Sequence, residues 1–264
     1  MNGRTNALVL SGGGSKGAFS VGAIEYMIDH RGLSFDIVTG TSTGALISPL
    51  VAAGGDEWRA LKEIYTSVKT GDVIVRRRLH SIINSISVYK TDPLTKLIKQ
   101  YLTPERVEMI LQSQTMMFIT GVCLQTGRLC YFQTGPRDGV TDKLSTIERI
   151  RDFDGLARAI LASANQPVLT PPVKIPKSGS PLRQFVDGGV KEYAPFKIAI
   201  DNGATDIYAV LLSPAPEGRR KETGEYRKVV PILVRTIDML VDDVAENDLK
   251  VARIFNAALD YIDG

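Results

Sequence analysis

Histidine, cysteine and tryptophan are all scarce in this chain. It has two histidines, two cysteines and one tryptophan among 264 residues. Two cysteines, Cys123 and Cys130, cannot make a disulfide framework, and no zinc-type spacing surrounds them. They read as strand residues in a reducing compartment, and Trp58 reads as a helix-packing residue. Charge of one sign is lacking too. The 32 Lys and Arg against 29 Asp and Glu leave +3, without the concentrated basic face that nucleic-acid binding requires. No long apolar run is present. Ala7–Leu10 is too short for the core of a signal peptide. The uncharged stretches Ile37–Gly55 and Met109–Gly127 are broken by Thr, Ser, Gly and Gln, so they read as soluble core rather than spans. With 44% hydrophobic and 23% charged residues, disorder and collagen-like repeats are excluded. A soluble, cytoplasmic globular protein is expected, and no linker separates two cores, so residues 1–264 are read as one domain.

What is present is an alternation of strands and helices. Ala7–Leu10 and Phe35–Thr39 read as short buried strands. Ala18–His30 and Thr43–Ala53 read as helices closed by glycines, and short links between such elements predict parallel strands with helices on the sheet faces. Asp92-Pro93 and Thr103-Pro104 each read as an N-cap followed by proline in the first turn. Met116–Cys123 and Arg128–Gln133 predict a hairpin, and Gly155–Ser163 a helix. The prolines of Gln166–Pro181 predict a loop. Gln184–Val186 and Asp206–Leu212 predict further strands, with a charged loop at Glu217–Lys228. A long last helix is expected over about 236–262, with Leu240, Val244, Val251, Phe255 and Ala258 facing inward.

Three loops carry chemistry. Gly40-Thr41-Ser42-Thr43-Gly44 fits G-x-S-x-G between a strand and a helix, the setting of a nucleophile elbow. Gly40 and Gly44 let the backbone pass closely, and Ser42 projects beside a helix N-terminus that favours developing negative charge. Ser11-Gly12-Gly13-Gly14-Ser15-Lys16-Gly17 exposes several backbone N–H groups. As a dinucleotide fingerprint it needs an acidic residue at the end of the next strand, and Asp36 lies at the start of it. As a nucleotide-hydrolase phosphate loop it fails, because Ala18-Phe19 follow the last glycine. As an oxyanion hole, Gly12, Gly13 and Gly14 would serve the serine. The third loop, Asp187-Gly188-Gly189, is either an Asp-Gly turn or an active-site base. His30 ends the first helix far from the serine, and His80 follows Arg76-Arg77-Arg78 on a solvated face. A nucleophilic Ser42 would therefore take its proton acceptor from a carboxylate.

In this order the three loops resemble the signature of the patatin-like phospholipases. The stretches Ala162–Pro167 and Pro171–Val173 are also similar to the family segment before its aspartate, and the resemblance covers roughly residues 5–215. It implies a three-layer α/β/α fold around a largely parallel sheet. It further implies a lipid acyl hydrolase working through a Ser42–Asp187 dyad, on lipid or acyl-ester substrates, without metal or cofactor. Lys16 is then either an anion or substrate contact or an exposed lysine at the helix start. The competing reading is a nucleotide-binding or non-catalytic module built on the glycine loop. Val73–Val75 with Arg76–Arg78, and Leu79, Ile82, Ile83 and Ile86 at helical spacing, carry the pattern of an interfacial helix. The apolar stripe is expected to pack on the core, and the arginines to give at most weak, salt-sensitive peripheral membrane contact.

Overall fold

The computed structural model describes residues 3–77, 85–176, 181–213 and 224–263. His80, Arg78, Leu79, Ile82 and Ile83 lie outside these residues, as does most of the Glu217–Lys228 segment. The sheet is built from β1 (Asn6–Leu10), β2 (Ile37–Gly40), β5 (Met116–Cys123), β6 (Leu129–Thr134), β7 (Ser145–Arg149), β8 (Val173–Ile175), β9 (Arg183–Asp187) and β10 (Asp206–Val210); β3 (Val75–Arg76) and β4 (Tyr89–Lys90) form a separate two-stranded ladder. The helices are α1 (Gly17–Glu25), α2 (Thr43–Ala52), α3 (Ala60–Ser67), α4 (Asp92–Tyr101), α5 (Pro104–Gln112), α6 (Phe153–Ala164), α7 (Phe196–Asp201) and α8 (Val229–Asp263).

The main path through the sheet is β10-β1-β2-β5-β6-β7. β10, β1, β2 and β5 run parallel, and β6 returns antiparallel to β5. Helices cover both faces, so the central strands are buried on both sides and read as unbroken apolar runs. Ala7-Leu-Val-Leu10 and all of β5 are buried. One face packs Leu8, Leu10, Ile24, Ile47, Trp58 and Leu61 together, with a second cluster around Met117, Ile119, Ile160 and Phe185. The opposite face packs Val9, Phe118, Phe196 and Ile198 against α8. The expected three-layer, mostly parallel α/β/α arrangement is what forms.

Several details differ from the reading of the sequence. The proline-rich segment contains β8, which fits between Pro172 and Pro176 and pairs antiparallel with β9. β7 escapes notice because its five residues are all partly or fully exposed. Asp92 is the first residue of α4 and Thr91 its N-cap, whereas the Thr103 hydroxyl does cap α5 by accepting from the Arg106 N–H. α8 begins earlier than expected, at Val229, and its buried face is different. Val241, Val244, Ala245, Leu249 and Ala252 face the core, while Leu240, Val251, Phe255 and Ala258 are exposed. Asp248 anchors this helix, because its Oδ2 accepts the Tyr193 and Ala194 N–H groups at 2.7 and 2.9 Å.

The register of β5 places the site. Along one edge its first half pairs with β2, ending at Gly40 opposite Ile119. Beyond Thr120, the same edge pairs with β9, which runs the other way and ends at Asp187 opposite Gly121. Two strands thus meet head to head on one edge of β5, and the turns leaving them converge.

Candidate active site

Ser42 and Asp187 sit on those two converging turns. Ser42 is 8% exposed and holds φ 55°, ψ −114° immediately before α2. A side chain at positive φ is strained by about 1–3 kcal/mol, and such outliers gather at functional sites. The flanking glycines make the turn sterically feasible. A Cβ on Gly44 would lie 2.2 Å from the Leu10 carbonyl oxygen, and one on Gly40 would lie 2.1 Å from the Ser48 hydroxyl. The Ser42 N–H donates to Ser163 Oγ at 2.9 Å, which fixes the elbow to α6. Thr41 ties it to the facing loop. Its hydroxyl accepts from Thr120 at 2.8 Å and donates to the Glu192 carbonyl at 3.1 Å.

Asp187 is 4% exposed, and its Oδ1 accepts the Gly189 N–H at 2.8 Å. Its own N–H donates to the Asn165 carbonyl at 2.9 Å. Burial pushes its carboxyl up to about 6, opposed by hydrogen bonds from the Ser42 hydroxyl and the Gly189 N–H. The Ser42 hydroxyl and the Asp187 carboxyl therefore lie within interaction range of each other. His30 does not join them. His30 stacks on Tyr26 in the exposed turn that ends α1, and His80 is not among the described residues.

The glycine loop lies beside Ser42 but its three glycines differ. The Gly12 N–H already donates to the Tyr193 carbonyl at 3.1 Å, and a Cβ there would sit 3.4 Å from Ser42 Cβ. Gly12 is thus a close-approach position whose donor is already engaged. The Gly13 and Gly14 N–H groups have no acceptor among the described residues. The Gly14 carbonyl is turned onto α2, accepting from Thr43 Oγ1 at 2.7 Å. Lys16 Nζ donates to the Leu212 carbonyl at 3.0 Å, clamping this loop to the segment after β10. Asp36, the acidic residue of the dinucleotide reading, accepts the Asn6 N–H at the other end of β2.

Next to Ser42 opens a cavity of about 450 Å³ between α1, α2, α3, α4 and α6. Its walls are mainly apolar, including Leu46, Leu50, Leu61, Ile64, Leu94 and Ile160, and Ser42 lines it together with Gly14 and Ser15. Among the described residues no group of three or more His, Cys, Asp or Glu is placed to hold a metal ion. The free cysteines Cys123 and Cys130 are buried on the β5–β6 hairpin, and burial pushes the Cys130 thiol up to about 12, which leaves it inert. No helix among the described residues is long and apolar enough to cross a membrane.

The family model described as "Patatin-like phospholipase" matches residues 8–200. The chain belongs to the patatin-like phospholipase family. Its similarities to individual patatin-like and other relatives are distant. It is 27% identical over 228 residues to the uncharacterized protein YqhO of Bacillus subtilis, covering 81% of this chain and 73% of that one. It is 25% identical over 249 residues to human patatin-like phospholipase domain-containing protein 6, covering 94% of this chain and 16% of the relative. With lysophospholipase NTE1 of Saccharomyces cerevisiae it shares 28% identity over 227 residues, 85% of this chain and 12% of the relative. The chain therefore spans a small part of the two long relatives. Family membership supports lipid hydrolysis as the general activity. Ser163, Thr120, Thr41, Asn165 and Glu192 were not singled out for these positions by the sequence. Thr41 falls within the serine motif, and Ser163 and Asn165 within the family-like segment before the aspartate.

Proposed function

We propose that this patatin-like domain is a serine acyl hydrolase of lipid esters, using Ser42 and Asp187 as a dyad through an acyl-enzyme. The observation that carries the proposal is the meeting of β2 and β9 on one edge of β5, which brings a strained serine against a buried carboxylate beside an apolar cavity.

In this reading the acyl chain occupies the cavity, whose volume of about 450 Å³ lies within the usual range for ligand sites. Ser42 Oγ attacks the ester carbonyl while Asp187 accepts the hydroxyl proton. The Gly13 and Gly14 N–H groups donate to the resulting oxyanion. Asp187 then returns the proton to the departing alcohol. In the second half it takes a proton from water, whose oxygen attacks the acyl carbon, and passes that proton to Ser42 Oγ as the acyl–oxygen bond breaks and the fatty acid leaves. An ordinary aspartate is a weak base. The rise of Asp187 towards 6 brings it closer to working pH, where general bases are most effective. Lys16 acts on the loop through the Leu212 carbonyl and supports the oxyanion site from behind.

The test is product identification on phospholipid, lysophospholipid, acylglycerol and short soluble esters, with Ser42→Ala as the blank. Free fatty acid or short acid should appear with wild type and be absent with the variant. Equal release by the variant, or no release from any ester together with stoichiometric NAD binding, would overturn the proposal in favour of a nucleotide-binding module.

A further inference from the structure

Three short segments that hydrogen-bond side by side contribute to one wall of the cavity. β3 pairs antiparallel with β4, and the Arg77 N–H donates to the Val88 carbonyl at 3.1 Å. The Val88 and Tyr89 N–H groups donate to the Val168 and Leu169 carbonyls at 3.2 and 2.8 Å. Ile74, Tyr89 and Leu169 line the cavity. Val75, Ile86 and Val168 are 47%, 67% and 47% exposed, and Ile86 thus departs from the expected packing of its stripe on the core.

Two further features mark this rim. Lys69, Arg76, Arg77 and Lys90 lie on it, against Asp72 and Asp92 on the same stretches, so it is net basic. The Arg77 Nε–H is buried with no acceptor among the described residues. In addition, Val168 holds φ 67°. A β-branched residue there is a true outlier, and glycine would sit in its place without strain. Nearly half exposed, the Val168 side chain gains little burial against the protein to offset that strain.

We propose that this rim docks on an anionic lipid surface. Val75, Ile86 and Val168 enter the boundary between headgroups and acyl chains, while Arg76, Arg77 and Lys90 meet lipid phosphates. The inference rests on the lipid-hydrolase reading and deepens it by naming where the substrate phase is met. A lipid surface fits better than a protein partner because the patch adjoins the apolar wall of the cavity, so a bilayer seated there lies beside the space that takes an acyl chain. Basic side chains beside an apolar patch are also the complement of an anionic interface.

The experiment compares wild type with Val168→Gly/Ile86→Ser and with Arg76→Glu/Lys90→Glu. Each is sedimented with phosphatidylcholine vesicles and with mixed phosphatidylcholine–phosphatidylglycerol vesicles, and each is assayed on a soluble short-chain ester. Wild type should sediment with the anionic vesicles, less so at high salt. The apolar pair should weaken that binding by roughly tenfold, and the charge reversal by roughly ten- to a hundredfold. Turnover of the soluble ester should stay at the wild-type value and the melting temperature should not fall, since glycine accepts the backbone at 168 without strain. Wild-type binding in both variants, or no sedimentation of wild type, would overturn the docking surface. So would a concentration-dependent dimer that the variants dissolve, because the rim would then be a self-contact. Vesicle binding that is lost in the variants, in a wild type that hydrolyses no ester, would uphold the docking while the enzymatic reading fails.

Discussion

Replacing Asp187 by Asn should separate stability from activity. The variant keeps the shape and an amide oxygen for the Gly189 N–H, but offers the Ser42 hydroxyl no base. Burial raises the Asp187 carboxyl from an ordinary 3.8 to about 6. The folded protein therefore binds this proton more tightly than the unfolded chain, and stability falls as pH rises between about 4 and 6. With roughly 1.36 kcal/mol per pH unit, wild type loses about 3 kcal/mol across that window. Asn has no such loss. Relative to wild type, the variant should gain about 3 kcal/mol between pH 4 and pH 8, or roughly 6–12 °C in melting temperature for a chain of this size. General-base removal should lower turnover about 10²–10⁴-fold. Thermal melts from pH 4 to 8, paired with hydrolysis of a soluble ester at pH 8, read both effects. A difference in melting temperature that stays flat with pH would refute the burial argument, and near-wild-type turnover would refute the role of the carboxylate.

Other expectations follow from the same geometry. In wild type, turnover should rise with pH to a plateau, half-maximal near 6 as Asp187 ionises, and His30→Gln should leave that profile in place. The sequence treats Gly13 and Gly14 alike, but the structure does not. A Cβ on Gly13 would lie 2.3 Å from Leu212 Cβ, so Gly13→Ala should lose about 1–3 kcal/mol in melts together with turnover. Gly14→Ala meets open space at φ 57° and should lose about 1 kcal/mol of strain energy with a smaller drop in kcat. Burial pushes Glu192 up to about 8 while Tyr131 opposes the shift, so its proton is lost from the folded state only above neutrality. Glu192→Gln should melt like wild type near pH 4 and progressively above it as pH rises from about 4.5 to 8; a variant that is less stable at pH 9 would show that the charged form is favoured.

The three loops were legible because each carries a backbone demand written in glycines. Gly40 and Gly44 pass within contact of Ser48 and Leu10, and Gly188 would meet the Thr120 hydroxyl if it carried a Cβ. The parallel strands were legible because burial on both faces leaves unbroken apolar runs. The pairing of Ser42 with Asp187 was not legible from local pattern. It depends on β9 taking up the edge of β5 where β2 stops, a long-range register with no mark of its own, and the family resemblance supplied it. Ser163 and Thr120 are single polar residues in apolar runs, so their roles in holding the elbow show only in three dimensions. The inner face of α8 was misread because spacing favours large apolar residues. The helix turns Val241, Val244, Ala245, Leu249 and Ala252 to the core, of which Val244 alone was expected, and leaves Phe255 outside.

The central claim is that Ser42 is the nucleophile and Asp187 its base. Reaction with a fluorophosphonate, read by intact mass and peptide mapping, tests it most directly. One adduct should form on wild type, at Ser42, none on Ser42→Ala, and far more slowly on Asp187→Asn. An adduct at another residue, or one that forms on Ser42→Ala at the wild-type rate, would contradict the account.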